Sequence, residues 1–222
     1  MRIVIVGGGI AGLSTYLHLR KHLSIASEHT ITIYESHRSR AEATTTSVLN
    51  SVNQSVNLDT LSESTAIVGG GLCLSPNGMR VIRDLSLDLH DRVIAQGFPV
   101  EKFIFKGANG WTLGTQSTSD RSVRVIEEPE EVCIASSRQG LWHTLLQYVT
   151  EKHGADVIKY RKVLGIERDE NRSKLRLRVH LLDEQGNEEV DETDLVIGAD
   201  GVKSVVRKAL FDDDQEYNPI YR

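Results

Sequence analysis

The sequence predicts an α/β fold, a parallel sheet with covering helices, and three stretches carry that reading. Residues 1–12, Met-Arg-Ile-Val-Ile-Val-Gly-Gly-Gly-Ile-Ala-Gly, run a bare apolar strand, Ile3 to Val6, directly into Gly7-x-Gly9-x-x-Gly12. Thr30-Ile-Thr-Ile-Tyr34 alternates as a second strand and ends at Glu35, 23 residues beyond Gly12. Leu195-Val-Ile197 is a short strand of the buried type that enters Gly198-Ala-Asp-Gly201.

Strand, tight glycine turn and helix, in that order, open a dinucleotide-binding βαβ unit. Gly7 allows the tight turn, Gly9 lets backbone approach a pyrophosphate, and Gly12 lets the helix sit close on the strand. Leu13, Tyr16 and Leu17 form the apolar side of that helix. Its N-terminus offers unpaired N–H groups and a partial positive charge to phosphates. At the end of the second strand, Glu35 can accept hydrogen bonds from a ribose hydroxyl, and its charge disfavours a 2′-phosphate there.

Residues 37–66 differ from the rest. His37-Arg-Ser-Arg40 leads into Thr44 to Ser47 and a Ser-, Thr- and Asn-rich run over 51–64, which reads as a long surface insertion with a weak helical pattern at Val48, Leu49, Val52 and Val56. Val68-Gly-Gly-Gly-Leu-Cys-Leu-Ser-Pro-Asn-Gly78 follows as a second glycine turn. Ser75 and Pro76 suit the N-cap and first position of a helix carrying Met79, Ile82 and Leu85. Phe103-Ile-Phe105 and Trp111-Thr-Leu113 flank Gly107-Ala-Asn-Gly110 as a hairpin. Ser136-Ser137 can cap a helix to roughly Tyr148, with Leu141, Trp142 and Leu145 on its apolar face and Gly154 as a stop. Two strands follow, Val157 to Ile166 and Leu175 to Leu181. Last comes an amphipathic helix with Val202, Val205, Val206, Ala209 and Leu210 on one face.

The 222 residues carry a formal charge of −5 and no long basic run, which argues against nucleic acid as a partner. Cys73 and Cys133 have neither metal-type nor CxxC spacing and suit a reducing compartment. No apolar run reaches the roughly 20 residues of a membrane helix, and the first strand lacks a signal-peptide cleavage pattern. A soluble, cytoplasmic protein is expected, with no stable membrane insertion.

Taken in order, GGGIAG, Glu35, GGGLCLSPNG, Ser137-Arg138 with Leu141 and Leu145, and DLVIGADGVKSVVR resemble the FAD-dependent aromatic hydroxylases. These are single-component flavoprotein monooxygenases related to p-hydroxybenzoate and salicylate hydroxylases. The resemblance implies a Rossmann-like FAD-binding sheet of the glutathione-reductase type, plus part of a β-sheet substrate domain. Residues 1–98 would be the first FAD-binding segment, with the variable 37–66 insertion, and 135–222 the second. Residues 99–134 would hold partial substrate-domain strands. It also implies that Gly7, Gly9 and Gly12, with neighbouring Ile10 and Ala11, hold the FAD pyrophosphate, and that Glu35, with Ser36 beside it, holds the adenosine ribose. Arg138 would reach the FAD phosphate and ribityl region, and Gly71 lies in the turn beside the flavin ring. The Val163 backbone would contact adenine. Asp200 would serve FAD and the nicotinamide nucleotide, and can also cap the helix near Val202.

The implied chemistry uses NAD(P)H and O2 to hydroxylate an aromatic or other small apolar substrate through a flavin C4a-hydroperoxide. The cofactor carries the hard chemistry, which accords with a sequence offering no catalytic or metal-binding constellation of its own. The family's Gly-Asp-Ala-Ala-His type segment is missing before Arg222, so the chain is expected to be the N-terminal portion of such an enzyme. Two alternatives stay open: another flavin enzyme of the superfamily, an epoxidase or reductase, and a non-catalytic nucleotide-binding remnant. Substrate identity, NADH against NADPH and oligomeric state are not legible in the sequence.

Overall fold

A computed structural model describes residues 1–23, 28–36, 70–118, 131–169 and 176–211. The 37–66 insertion and the acidic Asp212–Asp214 lie outside the described residues. The chain packs as two compact units: Met1–Gln54 with Val149–Arg222, and Ser55–Tyr148.

The first unit is built on a parallel sheet. Strands β1 (Arg2–Val6), β2 (Thr30–Glu35), β8 (Ile158–Tyr160) and β12 (Leu195–Gly198) lie in the order β12-β1-β2-β8. Helix α1 (Ile10–His22) connects β1 to β2 and packs on both. Ile3 to Val6 are all buried, as a strand covered on both faces requires. Successive side chains alternate across the sheet. Val4, Val6 and Tyr34 therefore share one face and meet Val163, Val179 and Leu181, with Val196, Val205 and Val206 packed against the same cluster. Ile3, Ile5 and Ile33 share the other face, the side on which Leu13, Tyr16 and Leu17 of α1 are buried. Burying each such aliphatic side chain contributes about 1.5–3 kcal/mol.

The covering layer on the Val4 face is antiparallel: β9 (Lys162–Asp169), β10 (Arg176–Leu182) and β11 (Glu188–Thr193), in the order β11-β10-β9. Polar contacts fasten its outer strand to β1 and β2. Tyr34 donates to Asp191 Oδ2 at 2.8 Å, Arg2 pairs with Asp191, and the Arg2 amide donates to Asp194 Oδ2 at 2.7 Å. Burial, reinforced by the Asp191 carboxylate, raises the Tyr34 hydroxyl well above its ordinary pKa.

The stretch from Val157 to Ile166, expected as one strand, is divided in the structure. A 3-10 turn occupies Ala155–Val157, β8 joins the parallel sheet, and β9 joins the antiparallel one. Arg161 sits at the crossing, its amide donating to Lys159 O. The apolar phase slips at the break, from Ile158 and Tyr160 to Val163 across Arg161-Lys162, which is where one sheet gives way to the other. Strand β11 has no sign in the sequence, because Glu-Glu-Val-Asp-Glu-Thr offers little apolar alternation; its pairing with β10 defines it.

In the second unit, β3 (Gly71–Leu74), β4 (Phe98–Val100) and β7 (Cys133–Ser137) form an antiparallel sheet in the order β3-β7-β4. Gly71–Leu74 is thus strand, where the sequence suggested a turn, because β7 offers it a ladder. Helix α2 (Pro76–Leu85) starts at the expected Ser75 cap and Pro76. Helix α3 (Leu87–Gln96) follows at once, its boundary at Ser86, which ends α2 and caps α3; the sequence pattern gives no separate sign of it. The expected hairpin forms from β5 (Lys102–Lys106) and β6 (Thr112–Ser117), with Gly110 at φ +84° in its loop. Glu131 is buried between Arg83 (Nε to Oε1, 2.8 Å) and His90 (Nε2 to Oε2, 3.0 Å). Helix α4 runs from Arg138 to His153, a turn beyond the expected Tyr148, and Gly154 at φ +91° follows it. The two units divide within this helix, between Tyr148 and Val149.

Candidate functional site

The carboxyl ends of β1, β2 and β12 converge on one spot. The Gly7 amide donates to Tyr34 O at 2.8 Å, and the Ala199 amide donates to Val6 O at 2.7 Å. The chain leaves β1 toward β2 on one side, while β12 flanks β1 on the other, so the strand order reverses at this point. Ligands of open α/β sheets gather at such a switch point, outside the carboxyl ends of the strands.

The three motif glycines are needed for different reasons. Gly7 has φ +102°, and a Cβ there would lie 2.5 Å from Ala199 O. At Gly12 a Cβ would lie 1.9 Å from Gly7 O, so the start of α1 presses directly on the turn. Both are demanded by the protein's own packing. Gly9 is different: its φ is −73°, open to any residue, and a Cβ there meets nothing within 4 Å. The protein supplies no internal reason for glycine at that position, whereas a ligand seated against the backbone would.

Gly9 is also the N-cap of α1, and no side chain caps that helix. The other described helices are capped by serine hydroxyls: Ser75 for α2, Ser86 for α3 and Ser137, which accepts from Gly140 N at 2.9 Å, for α4. Helix α5 (Val205–Leu210) has Ser204. The first intrahelical bond of α1 is Leu13 N to Gly9 O, which leaves the Ile10, Ala11 and Gly12 amides without intrahelical acceptors. No acidic residue occupies the first turn to offset the positive end of the dipole.

Glu35 is held beside this turn. Its Oε2 accepts from the Gly8 amide at 2.6 Å and its Oε1 from Ser36 Oγ at 3.2 Å. A Cβ at Gly8 would stand 3.1 Å from the Glu35 side chain, so the middle glycine of the triplet seats the carboxylate. This role escaped the sequence reading, where position 8 is the free x of the motif; the third consecutive glycine was the available signal. A carboxylate has about four acceptor positions, the chemistry that a hydroxyl donor needs.

Asp200 follows β12 and binds its own chain. Oδ1 accepts from Ser204 Oγ at 2.6 Å, and Oδ2 from the amides of Val205 at 2.6 Å and Val206 at 3.3 Å. Asp200 and Ser204 together occupy the first amides of α5, so the helix starts at Val205 and Val202 is left outside it, 67 % exposed. Leu210 is 63 % exposed as well, so the apolar face is shorter than the pattern implied.

The remaining predicted residues fall elsewhere. Val163 is 7 % exposed, its side chain in the core between the two sheets of the first unit. Gly71 and Arg138 belong to the second unit, where they are close together: Gly71 pairs with Ser137, and the Arg138 amide donates to Gly70 O at 3.1 Å.

The family model described as FAD binding domain matches residues 1–216. The chain belongs to that FAD-binding family. Similar solved structures include the p-nitrophenol 4-monooxygenase PnpA from Pseudomonas putida, at 17 % identity and TM-score 0.65, aligned over 94 % of this chain and 42 % of that one. The flavin-dependent monooxygenase PieE, whose structure is in complex with FAD and substrate, aligns at 21 % identity and TM-score 0.62 over 95 % of this chain and 32 % of its own. FqzB gives 17 % and 0.62, over 96 % and 39 %. At these identities the likeness establishes the fold, and the chain spans between about a third and two fifths of the length of these structures. A search of curated protein sequences finds no match.

The FAD-binding family's cofactor fits the residues present. Its pyrophosphate needs backbone donors, a positive helix end and room at the turn. Uncapped α1 and the open space at Gly9 supply all three. Among the described residues no helix is long and apolar enough to cross a membrane.

Proposed function

We propose that this chain is the FAD-binding portion of a flavin-dependent monooxygenase that uses NAD(P)H and O2 to oxygenate an aromatic or other small apolar substrate. The observation that carries the reading is the uncapped start of α1 behind a turn whose Gly9 faces open space. FAD, when bound, supplies the electron transfer and oxygen activation.

The residues' own tasks are positional. The Ile10, Ala11 and Gly12 amides would donate to the pyrophosphate, with Gly7 and Gly9 keeping the turn tight and bare. Glu35, held by Gly8, would accept from the adenosine ribose hydroxyls, with Ser36 beside it. Val163 would offer its backbone to adenine while its side chain stays in the core. Arg138 would bring a planar guanidinium to phosphate and ribityl oxygens, and Gly71 would keep backbone bare beside the flavin ring. Asp200 would orient the turn that receives FAD and the nicotinamide nucleotide by holding the start of α5. In functional terms, residues 1–98 and 135–222 would serve FAD, and 99–134 would begin the substrate domain.

The experiment is a titration of the purified protein with FAD, followed by NAD(P)H oxidation with and without aromatic acids and phenols. Saturable FAD binding that fails with AMP-blocked protein, and substrate-stimulated NAD(P)H consumption with an oxygenated product, support the proposal. NAD(P)H oxidation that yields no oxygenated product from any substrate would favour a reductase. Absence of FAD binding by folded protein would overturn the reading.

A further inference from the structure

The two cysteines, 60 positions apart in the sequence, are neighbours in the sheet of the second unit. In the ladder between β3 and β7, Cys73 stands opposite Ala135. Cys133, two residues before Ala135, shares its face, so Cys73 and Cys133 are diagonal cross-strand neighbours. Their thiols lie near enough to influence one another. Both are free, one exposed and one buried. Strand β3 is an edge strand, bonded to β7 alone in this sheet.

We propose that Cys73 and Cys133 form an oxidisable pair, a site at which a peroxide installs a cross-strand disulfide between β3 and β7. The exposed Cys73 reacts first. The peroxide O–O bond breaks, a bond forms between Cys73 Sγ and oxygen to give a sulfenic acid, and one water leaves. Cys133 Sγ then attacks Cys73 Sγ; the S–O bond breaks, the Cys133 proton goes to the departing hydroxide, and a second water leaves. The two thiols lose two electrons and two protons, and the peroxide is reduced to water. Burial first, and then the nearby Cys73, raises the Cys133 thiol pKa, so the second step is the slow one and quickens with pH. The pairing is independent of how FAD binds.

The test treats the whole protein with hydrogen peroxide in slight excess, blocks residual thiols by alkylation, and maps peptides by mass spectrometry. The expected result is a linked Cys73–Cys133 peptide and an intact mass lower by about 2 Da, reversed by dithiothreitol. Cys133→Ser should instead accumulate a Cys73 sulfenic acid that dimedone traps, and Cys73→Ser should leave Cys133 reduced. Closure in the unaltered protein should be several-fold faster at pH 9 than at pH 7. A dimer linked through Cys73 of two molecules, with Cys133 still alkylated after unfolding, would overturn the proposal. So would sulfinic acid at Cys73 with no linked peptide.

Discussion

Alanine at Gly9 and at Gly12 should separate what the ligand demands from what the fold demands. At Gly12 the added Cβ would stand 1.9 Å from Gly7 O, against an ordinary carbon–oxygen contact of about 3.3 Å. The obstacle is backbone, and the Gly7 amide is tied to Tyr34 O, so the turn and α1 must separate by roughly 1.4 Å. Overpacking of this kind costs about 1–3 kcal/mol, and the upper end applies where no side chain can swing aside. About 3 kcal/mol lowers Tm by roughly 6–12 °C in a protein of this size. At Gly9 the added Cβ meets nothing within 4 Å and φ is −73°, so stability should change by less than about 1 kcal/mol. That methyl instead enters the space proposed for the pyrophosphate and should weaken FAD binding at least about tenfold, 1.4 kcal/mol. Thermal melts without FAD and fluorescence titrations with FAD read the two effects separately. Wild-type FAD affinity in Gly9→Ala would refute the assignment of that space to the cofactor. An unshifted melt for Gly12→Ala would refute the packing argument.

Glu35→Ala leaves the Gly8 amide without its 2.6 Å acceptor and should weaken FAD binding about tenfold, whereas Glu35→Gln, which keeps an acceptor, should lose less; equal affinities in isothermal titration would contradict the ribose role. Asp200→Ala removes the acceptor of Val205 N, Val206 N and Ser204 Oγ and should cost about 1–2 kcal/mol in urea unfolding, with Asp200→Asn intermediate. Tyr34 is raised above its ordinary pKa of 10.0, so its stabilising contribution is complete below pH 10 and declines as pH rises toward the folded-state value. Tyr34→Phe should therefore be less stable at pH 8 by about 1.5–3 kcal/mol, the range for a hydrogen bond to a charged group, and lose less between pH 10 and 11. An unchanged alkaline slope in pH-dependent melts would count against that assignment.

What the sequence determined by itself is the part that depends on neighbours in the chain. The glycine spacing, the apolar run at Ile3–Val6, the alternation at Thr30–Tyr34, the Ser75-Pro76 helix start and the Gly107–Gly110 hairpin are local signals, and each appears in the fold. Backbone dihedrals, caps and side-chain periodicity are set within a few residues, so they are legible one stretch at a time. Only the tertiary structure decided which sheet each strand joined. It split Val157–Ile166 between a parallel and an antiparallel sheet, made a strand of Gly71–Leu74, and brought acidic β11 into the ladder of β10. Strand pairing depends on partners distant in sequence, which no local pattern names. The site divides in the same way. Gly7, Gly9, Gly12 and Glu35 are candidates by spacing, and Asp200 by its place after a strand and by the family resemblance. That Gly8 seats Glu35, that Asp200 spends its carboxylate on α5, and that Cys73 and Cys133 share a face of adjoining strands follow from contacts made only when separate segments come together.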